Sequence, residues 1–200
     1  KVKQSFTKAF QSDRKSAFGG VVLINRKIDE NLAKIIIKNF FEIIVSPSFT
    51  KKALEVFNKK KKLILINSKK IPKDKKEIVK SVRMGTLVQQ NNNSKLSKKN
   101  FKIVSKNKLS KKEHDDVLFA FKVVKHVKSN AIVLAKNKQT LGIGAGQMNR
   151  YDATKIAIMK YKENFSLKKF VCASDAFFPF VDSIEKLIQS GVTAVIQPYG

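Results

Sequence analysis

Three glycines and an arginine in the segment TLGIGAGQMNR, residues 140–150, form a pattern that can bind an anion. Gly142, Gly144 and Gly146 would let backbone N–H groups approach a ligand at a helix N-terminus, where the helix dipole favours negative charge. A plain strand-to-helix turn with positive φ would use the same residues. The dinucleotide-binding pattern GxGxxG requires glycine at position 147, where this chain has Gln147. A dinucleotide-dependent oxidoreductase is therefore disfavoured.

Arg150 ends this segment in a chain that strongly prefers lysine. Of the 42 lysines and arginines only four are arginine, at positions 14, 26, 83 and 150. A guanidinium group offers a planar fork of donors that lysine cannot reproduce, so an arginine directly after a glycine-rich loop favours a binding role. Its placement there by chance is the open alternative.

Polar residues also lie in and just after the segment ASDAFFPF, residues 173–180, which follows an apolar run. Ser174, Asp175 and Asp182 flank three phenylalanines in this region. Open α/β sheets bind ligands beyond the carboxyl ends of their strands, so a flat heteroaromatic ligand would suit the position. A hydrophobic loop that docks on the core is the alternative explanation of the aromatic residues.

Two further polar or glycine-rich segments allow two interpretations each. In VKSNAIV, Ser129 and Asn130 lie between a predicted helix and a predicted strand. The amide of Asn130 could read a substrate amide with one acceptor and one donor, or it could cap a turn. In SAFGG, Gly19 and Gly20 could form a turn or allow close approach to a ligand.

Zinc is not expected, because the chain has two histidines and one cysteine without metal-ligand spacing. Cys172 alone also excludes an internal disulfide. The pair Lys125-His126 has the composition of a base beside an activating cation. Because it lies late in a predicted helix, a histidine that favours the helix C-terminal dipole is the preferred interpretation.

The formal net charge of +27 raises the alternative of a basic nucleic-acid-binding protein. Scattered lysine, with few arginines, favours a solvated surface over a specific nucleic-acid footprint. A positive field would also attract small anionic substrates. No apolar run has the length of a membrane helix, and the first residues lack the apolar core of a signal peptide, so we expect a cytoplasmic protein without membrane attachment.

Short apolar runs that alternate with amphipathic patterns predict an α/β protein. Ser110 and Glu113 form a capping-box pattern for one helix, a second helix should begin near Thr50, and a third should follow Asp182 and end at Gly191. The predicted strands are GGVVLIN, EIIVS, LILIN, FKIVS, AIVLAK, KFVCAS and TAVIQP.

The polar tract at residues 89–100 predicts an exposed linker between two subdomains, residues 1–88 and 101–200. The chain begins without methionine inside a helical pattern and stops just after an apolar strand. Both features lead us to expect a piece of a longer protein.

Six blocks, taken in order, closely resemble the transformylase half of the bifunctional purine-biosynthesis family that combines AICAR formyltransferase with IMP cyclohydrolase. The resemblance implies formyl transfer from 10-formyltetrahydrofolate to the 5-amino group of AICAR, without zinc, by a homodimer with shared sites. It also implies two cytidine-deaminase-like α/β/α subdomains, both incomplete here. The blocks are SAFGGVVLIN, FFEIIVSP, SVRMGTLVQ, FAFKVVKHVKSNAIVLAK, GIGAGQMNR and SDAFFPFVDSIEKLIQSGVTAVIQP.

The resemblance assigns roles to residues that match the family pattern. It implies a supporting catalytic role for Asn130, which, with Arg150, would reach the partner subunit's site. Folate contacts are implied at Tyr151 and Asp182, and a monovalent cation such as K⁺ near Ser129 and Asp175. The AICAR contacts that it implies are Gly19, Glu42, Asn130, Arg150 and Phe177.

The chain also departs from the family. The family's catalytic Lys-His pair belongs to a KHxNPCG block that should precede residue 1, and Lys125-His126 only occupies the comparable place in the second subdomain. Tyr199 stands where the family usually has glycine. We therefore expect the chain alone to be inactive, with the cyclohydrolase half outside it.

Overall fold

Alternating short strands and helices give a mixed α/β protein with several small sheets. The computed structural model describes residues 2–69, 76–93, 96–97 and 101–199. The chain divides into two compact units, one formed by residues 1–3 and Ser16–Lys95 and the other by Gln4–Lys15 and Leu96–Gly200. No helix in the described part of the chain is long and apolar enough to span a membrane.

The first unit contains a three-stranded parallel sheet in the order β1-β2-β3. Asp29 and Thr50 cap its two helices by accepting hydrogen bonds from the backbone N–H groups of Leu32 and Ala53. The core is formed by Ile28, Ile36, Ile44 and Phe57 among others. The elements are β1 (Gly20–Leu23), α2 (Glu30–Ile36), β2 (Phe41–Ser46), α3 (Lys51–Phe57) and β3 (Ile64–Asn67).

An antiparallel hairpin of β4 (Glu77–Val82) and β5 (Gly85–Gln90) completes the first unit. Every residue of both strands is exposed. Because β5 continues through Gln90, the first two residues of the predicted polar linker belong to a strand. Positions 94–95 and 98–100 of that predicted linker lie outside the described residues.

The second unit is built on a four-stranded sheet in the order β7-β6-β8-β9. β6 runs antiparallel to both of its neighbours, whereas β8 and β9 are parallel. The elements, after α1 (Val2–Ser12), are α4 (Lys111–Val124), β6 (Ile132–Lys136), β7 (Gln139–Gly144), α5 (Arg150–Asn164), β8 (Phe170–Ser174), α6 (Asp182–Ser190) and β9 (Val192–Ile196).

Helices cover both faces of this sheet. Ile132 and Leu134 of β6 join a core cluster with residues of α5 and α6, whereas Val133 and Ala135 join a second cluster with residues of α4. The alternation follows from the two-residue period of a strand, and both sets are apolar because both faces are buried. The start of β6 and the end of β8 lie side by side, because Ile132 is paired with Ser174.

The predicted helix boundaries at Ser110, Thr50 and Gly191 are confirmed. Ser110 and Glu113 exchange hydrogen bonds as a capping box, and Gly191 ends α6 with a φ of 104°. The prediction of a strand at FKIVS was wrong. Residues 101–105 form no strand, because no ladder partner pairs with them in the described part of the chain.

Candidate functional site

Arg150 is the centre of a buried polar cluster in the second unit. It is the first residue of α5, and only 9% of its side chain is exposed. Its Nη1 atom donates to Ser174 Oγ at 2.8 Å and to Asp175 Oδ1 at 2.5 Å. Its Nη2 atom donates to Asn130 Oδ1 at 2.8 Å. The guanidinium group thus links Asn130, near the start of β6, to Ser174 and Asp175 at the end of β8.

The side chain of Asn130 is held on both of its polar atoms. While Oδ1 accepts from Arg150, Nδ2 donates to the backbone oxygens of Gln147 at 3.0 Å and Met148 at 3.3 Å. The backbone of Asn130 also exchanges hydrogen bonds with Gln147, and the Ser129–Asn130 peptide bond is cis. A carbonyl oxygen has two lone pairs, so Oδ1 keeps one acceptor position for a further donor.

Asp175 balances the buried guanidinium charge. Besides the ion pair, its Oδ1 accepts from the backbone N–H of Ala131 at 2.9 Å. Burial raises the pKa of Asp175, but hydrogen bonds from the Ser129 side chain, Arg150 and Ala131 outweigh it and hold the pKa below the ordinary value of an aspartate. The carboxylate is therefore charged at neutral pH and fixes Arg150 in place.

Ser174 and Phe178 complete the surroundings of the guanidinium. Ser174 is fully buried and donates through Oγ to the Ala176 oxygen at 2.7 Å while it accepts from Arg150. The Arg150 carbon Cζ lies 5.9 Å from the centre of the Phe178 ring. The implied contact Phe177 is 48% exposed. The sequence analysis did not single out Phe178, because its contact with Arg150 arises only from the fold.

One interpretation of the glycines that precede Arg150 was a ligand-binding loop. The structure instead places two of them in a strand. Gly142 and Gly144 are residues of β7, and only Gly146 has a positive φ, of 64°. A β-carbon at Gly142 would lie 2.0 Å from the Ala157 oxygen, and one at Gly144 would lie 1.9 Å from the Ala153 oxygen. The two strand glycines therefore let α5 pack directly against β7, and this close packing positions Arg150.

Two lysine side chains lie close to the Tyr151 ring. Lys155 Nζ is 5.1 Å and Lys186 Nζ is 5.6 Å from the centre of its ring. Asp182, the other implied folate contact, is the first residue of α6, and its Oδ1 accepts from the Ser183 backbone N–H at 2.6 Å. Tyr151 and Asp182 thus both lie in the first turns of helices on one face of the sheet.

Gly19 and Glu42 are neighbours in the first unit. Gly19 has a φ of 70°, and its N–H donates to the Phe40 oxygen at 3.0 Å. A β-carbon at Gly19 would lie 3.6 Å from the Phe40 ring and 3.7 Å from Glu42 Oε1. The structure therefore brings together these two residues of the first unit, and it separately brings together Ser129, Asn130, Arg150 and Asp175 in the second.

Neither histidine takes part in these clusters. Lys125 caps the C-terminus of α4 and His126 follows it, so the pair lies at the end of the helix. Among the described residues, no group of three histidine, cysteine or acidic side chains is arranged to hold a metal ion.

Sequence comparisons identify relatives of known family. The model of the family described as "AICARFT/IMPCHase bienzyme" matches residues 1–160. The chain is 48% identical over 199 residues to the bifunctional purine biosynthesis protein PurH of Fusobacterium nucleatum, and that match covers 100% of this chain. It is 45% identical over 200 residues to PurH of Anoxybacillus flavithermus, again over 100% of this chain.

The chain is shorter than these relatives. It spans 39% of the length of both of those proteins, and 38% of PurH from Acetivibrio thermocellus, to which it is 46% identical over 200 residues. The family match nevertheless extends through β7 and into α5, so it includes Asn130, Arg150 and Tyr151. The chain belongs to the AICARFT/IMPCHase bienzyme family of purine biosynthesis.

Proposed function

We propose that this chain supplies part of the site at which 10-formyltetrahydrofolate formylates the 5-amino group of AICAR, on the route to IMP. The observation that carries the proposal is the buried guanidinium of Arg150, bound at once by Asn130 and Asp175. Asn130 and Arg150 are the residues to which the family resemblance assigns AICAR contacts. Family membership also disfavours the alternative of a nucleic-acid-binding protein.

The chemistry requires positioning more than reactivity from these residues. The AICAR amine is a weak nucleophile because its lone pair is delocalised into the imidazole ring. Its nitrogen must attack the formyl carbon, the bond from that carbon to the folate nitrogen N10 must break, and a proton must pass from the amine to N10, so that tetrahydrofolate leaves. Holding the two reactants in line accounts for a large share of such a barrier. The pair that moves the proton belongs, by resemblance, to the Lys-His block outside this chain.

Asn130 and Arg150 are suited to holding the substrate carboxamide. The free acceptor position on Asn130 Oδ1 matches an amide N–H₂ group, and guanidinium N–H groups match an amide oxygen. Asp175 and Ser174 keep the guanidinium fixed through Nη1. A preorganised donor of this kind loses little conformational entropy when the substrate binds.

We extend the proposal to fold and assembly. It includes two cytidine-deaminase-like subdomains, residues 1–88 and 101–200. In the second unit, β6 is antiparallel to β8, β8 and β9 are parallel, and helices cover both faces of the sheet, which supports this part of the proposal. The whole protein would also contain the cyclohydrolase. It would work in the cytoplasm as a homodimer in which Asn130 and Arg150 complete the partner subunit's site.

The resemblance also implies a monovalent cation such as K⁺ near Ser129 and Asp175. Hydroxyl and carboxylate oxygens are suitable ligands for a hard cation, so the residues present fit such an ion. Its contribution would be structural, because it would hold residues 129–131 against the end of β8. Arg150 already balances the Asp175 charge.

Substrate protection in the full-length protein tests the proposal. Hydrogen–deuterium exchange should slow on AICAR binding in peptides that cover residues 129–131 and 147–151, with no change in the control peptide over α4. The same preparation should form formyl-AICAR from AICAR and 10-formyltetrahydrofolate. No product together with unchanged exchange at both segments would contradict the proposal.

A further inference from the structure

The loop that joins β8 to α6 is bound by side chains at two points of its backbone. Before the loop, Ser174 Oγ donates to the Ala176 oxygen at 2.7 Å. Further along, the backbone N–H of Phe178 donates to Gln197 Oε1 at 3.0 Å. Ser174 ends β8 and Gln197 directly follows β9, the parallel neighbour of β8. Phe177 is therefore the one residue between two neighbours whose backbones are held.

The two adjacent phenylalanines of this loop have different surroundings. Phe178 is partly buried, packs against the core cluster that contains residues of β6, α5 and α6, and lies near the Arg150 guanidinium. Phe177 is 48% exposed, and no aromatic ring of the described residues stacks on it. The Phe177 ring is therefore available to stack on a flat ligand.

The Ser174 hydroxyl connects this loop to Arg150. Its oxygen accepts from Arg150 Nη1 at 2.8 Å. Because a guanidinium group can only donate, the single hydroxyl proton of Ser174 is directed to the Ala176 oxygen. Arg150 and Phe177, two of the residues to which the family resemblance assigns AICAR contacts, are therefore linked through one buried hydroxyl.

We propose that Gln197 is a positioning residue that holds Phe177 in place for stacking on the heteroaromatic ring of AICAR, while Ser174 holds the other side of the loop. The inference rests on the proposed function, in which Phe177 contacts AICAR. Gln197 acts through the Phe178 N–H and need not touch the substrate. A loop that is already ordered loses less conformational entropy when the substrate binds. Because the Gln197 side chain is exposed, water competes for the same N–H and the effect is modest.

A double-mutant cycle in the full-length protein tests this assignment. Gln197→Met keeps the approximate size of the side chain but removes the acceptor, so the KM for AICAR should rise by about threefold, with a smaller effect on kcat. Phe177→Ala should raise the same KM by about tenfold. In the Phe177→Ala background, Gln197→Met should have no further effect, because it acts only through that ring.

Gln139→Met is the matched control for the cycle. It removes another glutamine-to-backbone hydrogen bond of the second unit, from Gln139 Nε2 to the Lys8 oxygen at 3.0 Å. It should keep the wild-type KM for AICAR, because Gln139 lies in β7 and does not bind the loop.

Hydrogen–deuterium exchange of the ligand-free protein gives a second readout that does not depend on turnover. The peptide over residues 175–181 should exchange faster in Gln197→Met. It should exchange at about the wild-type rate in Gln197→Glu, which keeps an acceptor oxygen for the Phe178 N–H, and in Gln139→Met.

The outcomes separate this inference from the proposed function. A wild-type KM for AICAR in Gln197→Met or in Phe177→Ala, an increase that persists in the Phe177→Ala background, or unchanged loop exchange in Gln197→Met overturns the inference while formyl transfer itself stands. A wild-type protein that forms no formyl-AICAR overturns the proposed function and the inference with it.

Discussion

Arg150 Nη1 lies 2.5 Å from Asp175 Oδ1, an ion pair between the first turn of α5 and the residue after β8. Only 9% of the arginine side chain and 15% of the aspartate side chain are exposed. Removing either partner would leave the other charge poorly solvated, so this pair sets the geometry of the whole cluster. The variants are made in the full-length protein that contains this chain.

Replacing Arg150 with lysine should remove the planar set of guanidinium N–H donors while keeping the positive charge. An ammonium group cannot bind Asn130, Ser174 and Asp175 in the same plane, so the substrate-facing geometry should be lost. We expect kcat/KM for formyl transfer to fall by about 100-fold, measured by a steady-state assay with AICAR. Arg26→Lys, at an exposed arginine, is the matched control and should retain wild-type kinetics.

Replacing Asp175 with asparagine should loosen the start of β6. The variant loses a charged acceptor for Arg150 and the Ala131 N–H, at a cost of about 2–3 kcal/mol in local opening free energy. Hydrogen–deuterium exchange of the peptide over Ile132–Lys136 measures this change. Glu30→Gln removes an exposed ion pair with Lys34 and should leave that exchange unaltered. Equal exchange protection of this peptide in wild type and Asp175→Asn would argue against a stabilising role of Asp175 at the start of β6.

The same aspartate should make the local stability of the cluster depend on pH in the acidic range. Because the pKa of Asp175 is lowered in the folded protein, its contribution is fully present above the unfolded value of about 3.9 and is lost as pH falls through the lower, folded pKa. The difference in opening free energy between wild type and Asp175→Asn should stay constant from pH 7 to about 5 and shrink below about pH 4. A difference that grows on acidification would contradict the assigned direction.

A methyl group at Gly144 should damage the second unit severely. The new β-carbon would overlap the Ala153 oxygen, a backbone atom that can move only if α5 moves. We expect destabilisation of about 3 kcal/mol or more, seen as a lower melting temperature. Gly146→Ala is the control: its β-carbon meets only the Lys128 side chain, at 3.8 Å, so only the left-handed backbone is penalised, by about 1–2 kcal/mol. Equal losses would show that close packing is not what requires Gly144.

Cys172 should behave as an inert thiol in the native protein. It is fully buried in β8, and burial raises its pKa well above the ordinary range, which suppresses the reactive thiolate. Peptide-resolved alkylation at pH 8–9 should label it slowly in the native state and rapidly in urea. Fast native labelling would contradict the burial of this core, and Gly144→Ala should accelerate the reaction.

Local sequence patterns were sufficient for several elements of this fold. The capping box at Ser110 and Glu113 and the glycine stop at Gly191 depend only on neighbouring residues, and both are present as expected. β6 and β8 are apolar on both faces because helices cover both faces, so their runs are easy to recognise. Short-range chemistry therefore identified elements whose determinants lie within a few residues.

Other features depend on partners far away in the chain. The run FKIVS resembles a strand, but strand formation needs a neighbouring strand for its hydrogen bonds. The β4–β5 hairpin was missed because its residues are exposed on both faces and show no buried alternation. The functions of Gly142 and Gly144 depend on how closely α5 approaches, and the Arg150–Asp175 pair spans 25 residues. Such relationships follow from tertiary packing and not from local spacing.

The most direct test of the proposed site is the Asn130→Ala variant of the full-length protein, with formyl transfer and cyclohydrolase measured on one preparation. Removing the amide should lower kcat/KM for formyl transfer by about 100-fold, because the substrate carboxamide and Arg150 both lose a partner. The cyclohydrolase rate on the same sample should stay within about twofold of wild type, which shows that the protein is folded. Formyl transfer at the wild-type rate in this variant would contradict the assignment of Asn130 and Arg150 to the AICAR site.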